Sequence, residues 1–193
     1  MSKWDTKTAE WYAEKYGEYA TNRFGVEALK LESDFTIVDI GCGTGCALRH
    51  ASEQVTKGSL IGIDPVSRMI EIAQERTAVH SASARVVYHQ GSAEILPIED
   101  ASVDVVLAFD SYDHWADQPK GLEEVRRVLK SNGRFVVVKD GGLPNGNDAK
   151  KEFIAGLIKA GFKVLKEKNI QEDDVIFTQW ICVAENEYSM GQA

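Results

Sequence analysis

The residues of this chain that could do chemistry gather at the ends of four apolar runs. Asp39 lies in the run Ile37-Val38-Asp39-Ile40 and opens onto Gly41, Gly43 and Gly45. Asp64 closes a second run, Ser59-Leu60-Ile61-Gly62-Ile63, and Pro65 follows it. Ser92 and Ala93 follow a third run, and Asp110 and His114 follow a fourth that ends at Phe109. Ile37, Val38 and Ile40 are apolar and β-branched, as a strand covered on both faces requires. The three glycines allow a sharp turn and bring backbone within contact distance of a ligand. A helix starting at that turn aims its free N–H groups and the positive end of its dipole into the turn. Such a place takes a nucleotide-type ligand or the carboxylate of an amino acid. An imidazole in the loop after a strand is a side chain suited to taking a proton near neutral pH.

The elements that must position these residues follow from the spacing of the apolar positions. A helical pattern runs from about Thr6 to Lys30, with Tyr12, Tyr16 and Tyr19 on one face. Packing on the core is one use for that face; a lid over the glycine turn is the other. Strands are expected at Thr36–Ile40, Ser59–Ile63, Arg85–Gln90, Val103–Phe109 and Arg134–Val138. Helices are expected at Ala47–Val55, from Pro65 to Thr77, at Pro119–Lys130 with Asn132-Gly133 as the stop, and at Lys150–Ala160. The chain ends differently: Phe162–Leu165 and Val175–Val183 are two strands joined by the short polar stretch Asn169–Asp174, so they should pair antiparallel. Five β–α units followed by a hairpin predict a seven-stranded, mostly parallel sheet with helices on both faces. In such sheets a ligand sits at the carboxyl ends of the strands, where the strand order reverses. One domain is expected, with a helical cap over 1–34, a core over 35–185 and a polar tail over 186–193.

Composition narrows the ligand. The net charge is −8 over 193 residues, and a general nucleic-acid binder needs a basic footprint, so no long nucleic acid is expected. No apolar run approaches the roughly 20 residues of a membrane span, and Met1–Tyr12 lacks the apolar stretch of a signal peptide. Cys42, Cys46 and Cys182 are an odd number without framework spacing. That points to a reduced, cytoplasmic setting, and two thiols one helical turn apart make a poor zinc site. No metal is expected.

A dinucleotide fingerprint needs G-x-G-x-x-G with an acid about 20 residues on. Gly41, Gly43 and Asp64 satisfy it, but Cys46 stands at the third glycine. The longer stretch Val38-Asp39-Ile40-Gly41-Cys42-Gly43-Thr44-Gly45 resembles the first motif of the class I S-adenosylmethionine-dependent methyltransferases. Gly62-Ile63-Asp64-Pro65 with Met69-Ile70 resembles that family's second-strand acid and following helix. Gly91–Ile98 with Ser102–Val106, then His114–Asp117, then Leu122–Lys130 with Gly133-Arg134-Phe135, resemble its later motifs in order and spacing. The likeness runs closely from Thr36 to Val138 and implies a Rossmann-like α/β sheet. A nicotinamide oxidoreductase is disfavoured by Gly45, Cys46 and the Ser92–Pro97 stretch.

The resemblance implies S-adenosyl-L-methionine as cofactor and S-adenosyl-L-homocysteine as product. Gly41, Cys42, Gly43 and Gly45 would meet its methionine part, and Asp39 its ammonium, directly or through water. Asp64, with Pro65 beside it, would accept from both ribose hydroxyls. Ser92 and Ala93 would meet the adenine edge, although many relatives carry Asp where Ser92 stands. Phe109 or Ala108 would offer a carbonyl to the ammonium, and Met69 would pack on the adenine face. Apart from the resemblance, if the tyrosine face is a lid, Tyr16 would touch the ligand. Plain structural roles compete: helix caps for Asp39 and Asp64, a turn for Ser92, and core for Met69. His114 is a candidate general base or a structural hydrogen bond holding its loop. Asp110 is a candidate acceptor contact. The acidic balance and small size favour a small-molecule acceptor. With no substantial insertion after the fifth strand, cover for it must come from the N-terminal helices, the Asp110–Asp117 loop, the Gly141–Asn147 loop or a second subunit, so a homodimer stays open. A non-catalytic module that binds the same cofactor within a complex is the alternative.

Overall fold

The computed structural model describes residues 4–141 and 146–185. The elements in chain order are α1 (Thr6–Tyr16), α2 (Ala20–Glu27), β1 (Thr36–Ile40), α3 (Cys46–Gln54), β2 (Ser59–Asp64), α4 (Ser67–Ala78) and β3 (Val86–Gln90). Then come β4 (Val103–Phe109), a short 3-10 turn (Tyr112–His114), α5 (Gln118–Val128), β5 (Leu129–Asp140), α6 (Gly146–Lys159), β6 (Phe162–Glu172) and β7 (Val175–Ala184). The seven strands form one sheet in the order β3-β2-β1-β4-β5-β7-β6. Strands β1 to β5 are parallel to one another, and β7 runs antiparallel to both β5 and β6. The expected Rossmann-like sheet with a C-terminal hairpin is therefore found.

The buried apolar residues divide into two layers, as a doubly covered sheet demands. Leu48 and Ala51 of α3, Ile70 and Ala73 of α4 and Val26 of α2 pack on Ile37, Leu60, Val105 and Leu107. Leu122 and Val125 of α5 and Phe153 and Leu157 of α6 pack on Val38, Ile40, Val106 and Phe135 from the other side. Strand order reverses between β1 and β4, whose registers place Ile37 beside both Leu60 and Val105. The cleft at the carboxyl ends of these two strands is the expected ligand position.

Several element boundaries differ from the sequence reading. The single N-terminal helical pattern is two helices: α1 closes at Gly17, and Tyr19 is already extended at the start of α2. Helix α5 stops at Val128 rather than beside Asn132, because Leu129 turns extended (φ −68°, ψ 135°) and begins β5. Residues 130–133 then bulge, since Val103 pairs with Leu129 but Val105 with Arg134. Strand β6 continues to Glu172, so the Asn169–Asp174 connection shrinks to a tight turn at Asp173 (φ 52°). Antiparallel pairing with β7 satisfies the backbone of that polar edge segment. Helix α6 begins at Gly146, four residues early. Residues 142–145 of the Gly141–Asn147 loop and the 186–193 tail lie outside the described residues.

Candidate functional site

The glycine turn is tied to the end of β2. The N–H groups of Gly41 and Cys42 both donate to the Ile63 carbonyl, at 2.7 and 3.1 Å, and Gly45 N–H closes the turn on Cys42 O at 2.8 Å. All three glycines have positive φ: 73°, 51° and 77°. Their surroundings differ. A Cβ on Gly41 would lie 2.5 Å from Ser111 Cβ, and one on Gly45 would lie 2.1 Å from Tyr88 Oη. At those two positions the protein's own packing requires glycine. Among the described residues a Cβ on Gly43 would meet nothing within 4 Å, so this is where the turn faces open space.

Asp64 is held from two sides. Its Oδ2 accepts from Gly43 N–H at 3.0 Å and its Oδ1 from Val66 N–H at 2.9 Å. The second bond opens α4, so the helix-start role is real, yet each oxygen keeps a free lone pair. Burial raises the Asp64 carboxyl above its ordinary value, and the two amide bonds oppose that rise. Asp39 is the contrast. It is 2% exposed, and among the described residues it caps nothing and its Oδ1 has no hydrogen-bond partner. Burial first, and the Asp64 charge second, push its carboxyl up to about 7. A buried carboxylate without a partner is costly. A cation or an ordered water at that oxygen would relieve the cost, which fits a ligand carrying an ammonium group.

The remaining sequence candidates surround this pair. Ser92 is half-buried in a small bridge to Ile95, and Ala93 is buried. Glu94 accepts from Asp117 N–H at 3.0 Å, which fastens the loop to the start of α5. Pro65 is exposed between Asp64 and the start of α4. Cys42 and Cys46 are free, buried thiols, and burial pushes Cys46 up to about 12. Met69 is buried with Ala9, Ala13 and Ile72 between α1 and α4. Phe109 closes β4 with its ring against Gly25.

Past the end of β4 Asp110 adopts φ 51° and hydrogen-bonds across to β5: its N–H donates to Val138 O at 2.9 Å, and its Oδ1 accepts from Asp140 N–H at 2.8 Å. Burial raises the Asp110 carboxyl; the Asp140 amide and Lys139 oppose this. Lys139 Nζ pairs with Asp113 at 2.9 Å. His114 ends the 3-10 turn with an exposed side chain, and its main-chain N–H, rather than its imidazole, makes the loop bond to Ser111 O at 2.9 Å. Trp115 packs against Tyr112 and Phe135 as an anchor.

Tyr12 packs at the edge of the small cluster of Ala9, Ala13, Met69 and Ile72, Tyr16 is half-buried and Tyr19 is exposed. Their rings form a ladder with centroid spacings of 5.2 and 6.2 Å, and Tyr19 is 37% exposed. The Tyr12 hydroxyl is pushed up by burial and then by Asp110, Tyr16, Asp64 and Asp113. That of Tyr19 is pushed up first by Asp140. The ladder therefore stands beside the acids at the strand ends. Sequence reading missed its fastening, a cluster of Glu18, Thr44, Arg49 and Arg76. The available signal was Arg49, a charged residue amid Ala47, Leu48 and Ala51 with no explanation on its own helix face.

With this geometry in view, comparison with known proteins decides the family. A family model described as "Methyltransferase domain" matches residues 38–137. The chain belongs to the class I S-adenosylmethionine-dependent methyltransferases. Among curated proteins this methyltransferase-family chain is 31% identical over 135 residues to the uncharacterized methyltransferase YcgJ of Bacillus subtilis (strain 168), covering 69% of this chain and 52% of that protein. It is 30% identical over 118 residues to the ubiquinone/menaquinone biosynthesis C-methyltransferase UbiE of Geotalea uraniireducens (strain Rf4), covering 61% of this chain and 50% of that protein. The chain thus spans about half the length of these relatives. A SAM-dependent methyltransferase from Aquifex aeolicus superposes with a TM-score of 0.78 at 19% identity, covering 94% of this chain and 100% of that one, and so shares the fold. Among the described residues no helix is long and apolar enough to cross a membrane, and no cluster of acids, His and Cys could hold a metal ion.

Proposed function

We propose that this chain is an enzyme that transfers the methyl group of S-adenosyl-L-methionine to a small-molecule acceptor, leaving S-adenosyl-L-homocysteine. The observation that carries this reading is the pair of buried acids flanking the open glycine turn, Asp64 fixed by two amides and Asp39 without a partner. Asp39 takes the ligand's ammonium, and Asp64 takes the ribose hydroxyls on its free lone pairs. Gly43 leaves room for the methionine part, with Gly41, Cys42 and Gly45 shaping the turn around it. Ser92 and Ala93 meet the adenine edge, and the Phe109 carbonyl joins Asp39 at the ammonium. Pro65 and Met69 border the adenosine part, and Tyr16 covers it.

The cofactor, when bound, supplies a methyl on a positively charged sulfur with a good leaving group. The protein's task is then to hold acceptor and methyl in line, which contributes through proximity and alignment. His114, on its exposed turn, takes the acceptor's proton where the acceptor must lose one, and Asp110 orients the acceptor. Aromatic acceptors come first on any panel, because one relative is named a ubiquinone/menaquinone biosynthesis C-methyltransferase. The test is transfer of radiolabel from methyl-labelled S-adenosylmethionine to a panel of aromatic, amine, carboxylate and thiol acceptors, compared with Asp64→Ala. Label transfer by the wild type and its loss in the variant support the reading. Cofactor binding without transfer to any acceptor would favour the non-catalytic module.

A further inference from the structure

Helix α1 is thinly attached to the body of the protein. Its only buried residues are Ala9 and Ala13, which meet Met69 and Ile72 of α4. An eleven-residue helix has little stability alone, so polar bonds must hold it. One joins Glu10 of α1 to Arg68 of α4 at 3.1 Å on the exposed side; the others converge on Glu18, just past the end of α1. One carboxylate oxygen, Oε1, accepts from Arg49 Nη2 and from Arg76 Nη1, both at 2.6 Å.

Each arginine is anchored elsewhere as well. Arg49 Nη1 donates to Thr44 O at 2.6 Å, inside the glycine turn itself. Arg76 Nη2 donates to Ala13 O at 3.0 Å, in the last turn of α1. Thr44 completes the clasp, its hydroxyl donating to Gly17 O at 2.5 Å. Gly17 is a close approach: a Cβ there would lie 2.7 Å from both Thr44 Cγ2 and Arg76 Nη1. Glu18 therefore ties the junction of α1 and α2 to α3, to α4 and to the turn that faces the ligand. The rings on either side of it, Tyr16 and Tyr19, belong to the ladder beside the site acids. Burial opposes ionisation of Glu18, but the arginines outweigh it and hold the carboxyl below its ordinary range, so the clasp is charged at neutral pH.

We propose that Glu18 is the positioning residue of a lid: it seats α1 and its tyrosines over the glycine turn and thereby sets cofactor affinity without touching a reacting group. This rests on the S-adenosylmethionine reading of the site. If the closed seat is the binding-competent state, lowering its population to about a tenth weakens binding about tenfold.

The experiment measures the dissociation constant of S-adenosylhomocysteine by titration calorimetry and amide exchange in residues 6–16 with and without that ligand. It uses wild type, Glu18→Ala, Glu18→Gln and Arg76→Met. The expected result is a dissociation constant about tenfold higher in Glu18→Ala, with part of the affinity recovered in Glu18→Gln, which keeps the acceptor oxygen. Ligand should slow exchange over residues 6–16 in the wild type and fail to do so in Glu18→Ala, while exchange in the β4 and β5 core stays unchanged. Arg76→Met removes a half-buried partner and carries the test should Glu18→Ala, which leaves buried Arg49 unpaired, fail to fold. Undiminished affinity in the variants, or α1 exchange identical to wild type, would overturn the lid alone. Absence of S-adenosylhomocysteine binding by the wild type would instead overturn the cofactor reading beneath it.

Discussion

Asp39→Asn separates the cost of the site from its use. The Asp39 carboxyl is buried, lacks a partner at Oδ1, and is raised from 3.8 to about 7 by burial and by Asp64. A folded-state value above the unfolded one means the folded protein holds its proton longer. The associated stability is full below about pH 4 and is lost as pH rises through about 7. At 1.36 kcal/mol per pH unit the loss approaches about 4 kcal/mol at pH 8, as a ceiling. Asparagine keeps the shape and never ionises, so the variant should recover up to that amount at pH 8 and less than half of it, about 1.6 kcal/mol, at pH 5. At roughly 2–4 °C per kcal/mol for a chain of this size, the midpoint should rise by several degrees at pH 8. In the proposed binding mode the same substitution removes the partner of the ligand's ammonium, so the shift given by S-adenosylhomocysteine should shrink while the unliganded protein gains. The assay is thermal unfolding of wild type and variant at pH 5 and pH 8, with and without that ligand. A variant less stable than wild type at pH 8, or an equal gain at both pH values, would refute the assignment of Asp39 as an unpaired acid kept for binding.

The glycines of the turn should respond unequally. Gly43→Ala meets open space and suffers only its positive φ, about 1–2 kcal/mol, so it should fold and lose affinity for S-adenosylhomocysteine. Gly45→Ala drives a Cβ into Tyr88 and should lower the unfolding midpoint by more than Gly43→Ala, with part regained in the double variant with Tyr88→Ala; chemical denaturation of the three proteins decides it. His114→Ala should lower kcat by about 100-fold or more for an acceptor that loses a proton, leave the affinity for S-adenosylhomocysteine unchanged, and respond to added imidazole. An unaltered kcat with such an acceptor would remove the general base.

The sheet was legible because its signals are local. Runs such as Val103–Phe109 can be little else in a doubly covered sheet, and Asp39, Asp64 and Asp110 each end or flank such a run. The extent of β6 was not legible, because Lys166–Glu172 is polar and becomes strand only through its partner β7. The end of α5 was missed for a similar reason: Leu129 suits the buried face of a helix, but its pairing with Val103 draws it into the sheet. Within the site, the glycine turn announced itself, yet the reason for each glycine did not. Ser111 and Tyr88, 70 and 43 residues away from the glycines they press on, explain Gly41 and Gly45. The Glu18 clasp joins three segments distant in the chain, around 13–18, 44–49 and 76, so no window of sequence contains it. Arg49 was its one visible trace.

The most direct measurement is thermal unfolding of the wild type and Asp64→Ala with S-adenosylhomocysteine, with NAD and with neither. At 100 times its dissociation constant a ligand adds about 2.7 kcal/mol, or roughly 5–10 °C here. The expected result is a shift of that size with S-adenosylhomocysteine, none with NAD, and its loss in Asp64→Ala. A shift with NAD alone, or an undiminished shift in the variant, would contradict the assignment of the site.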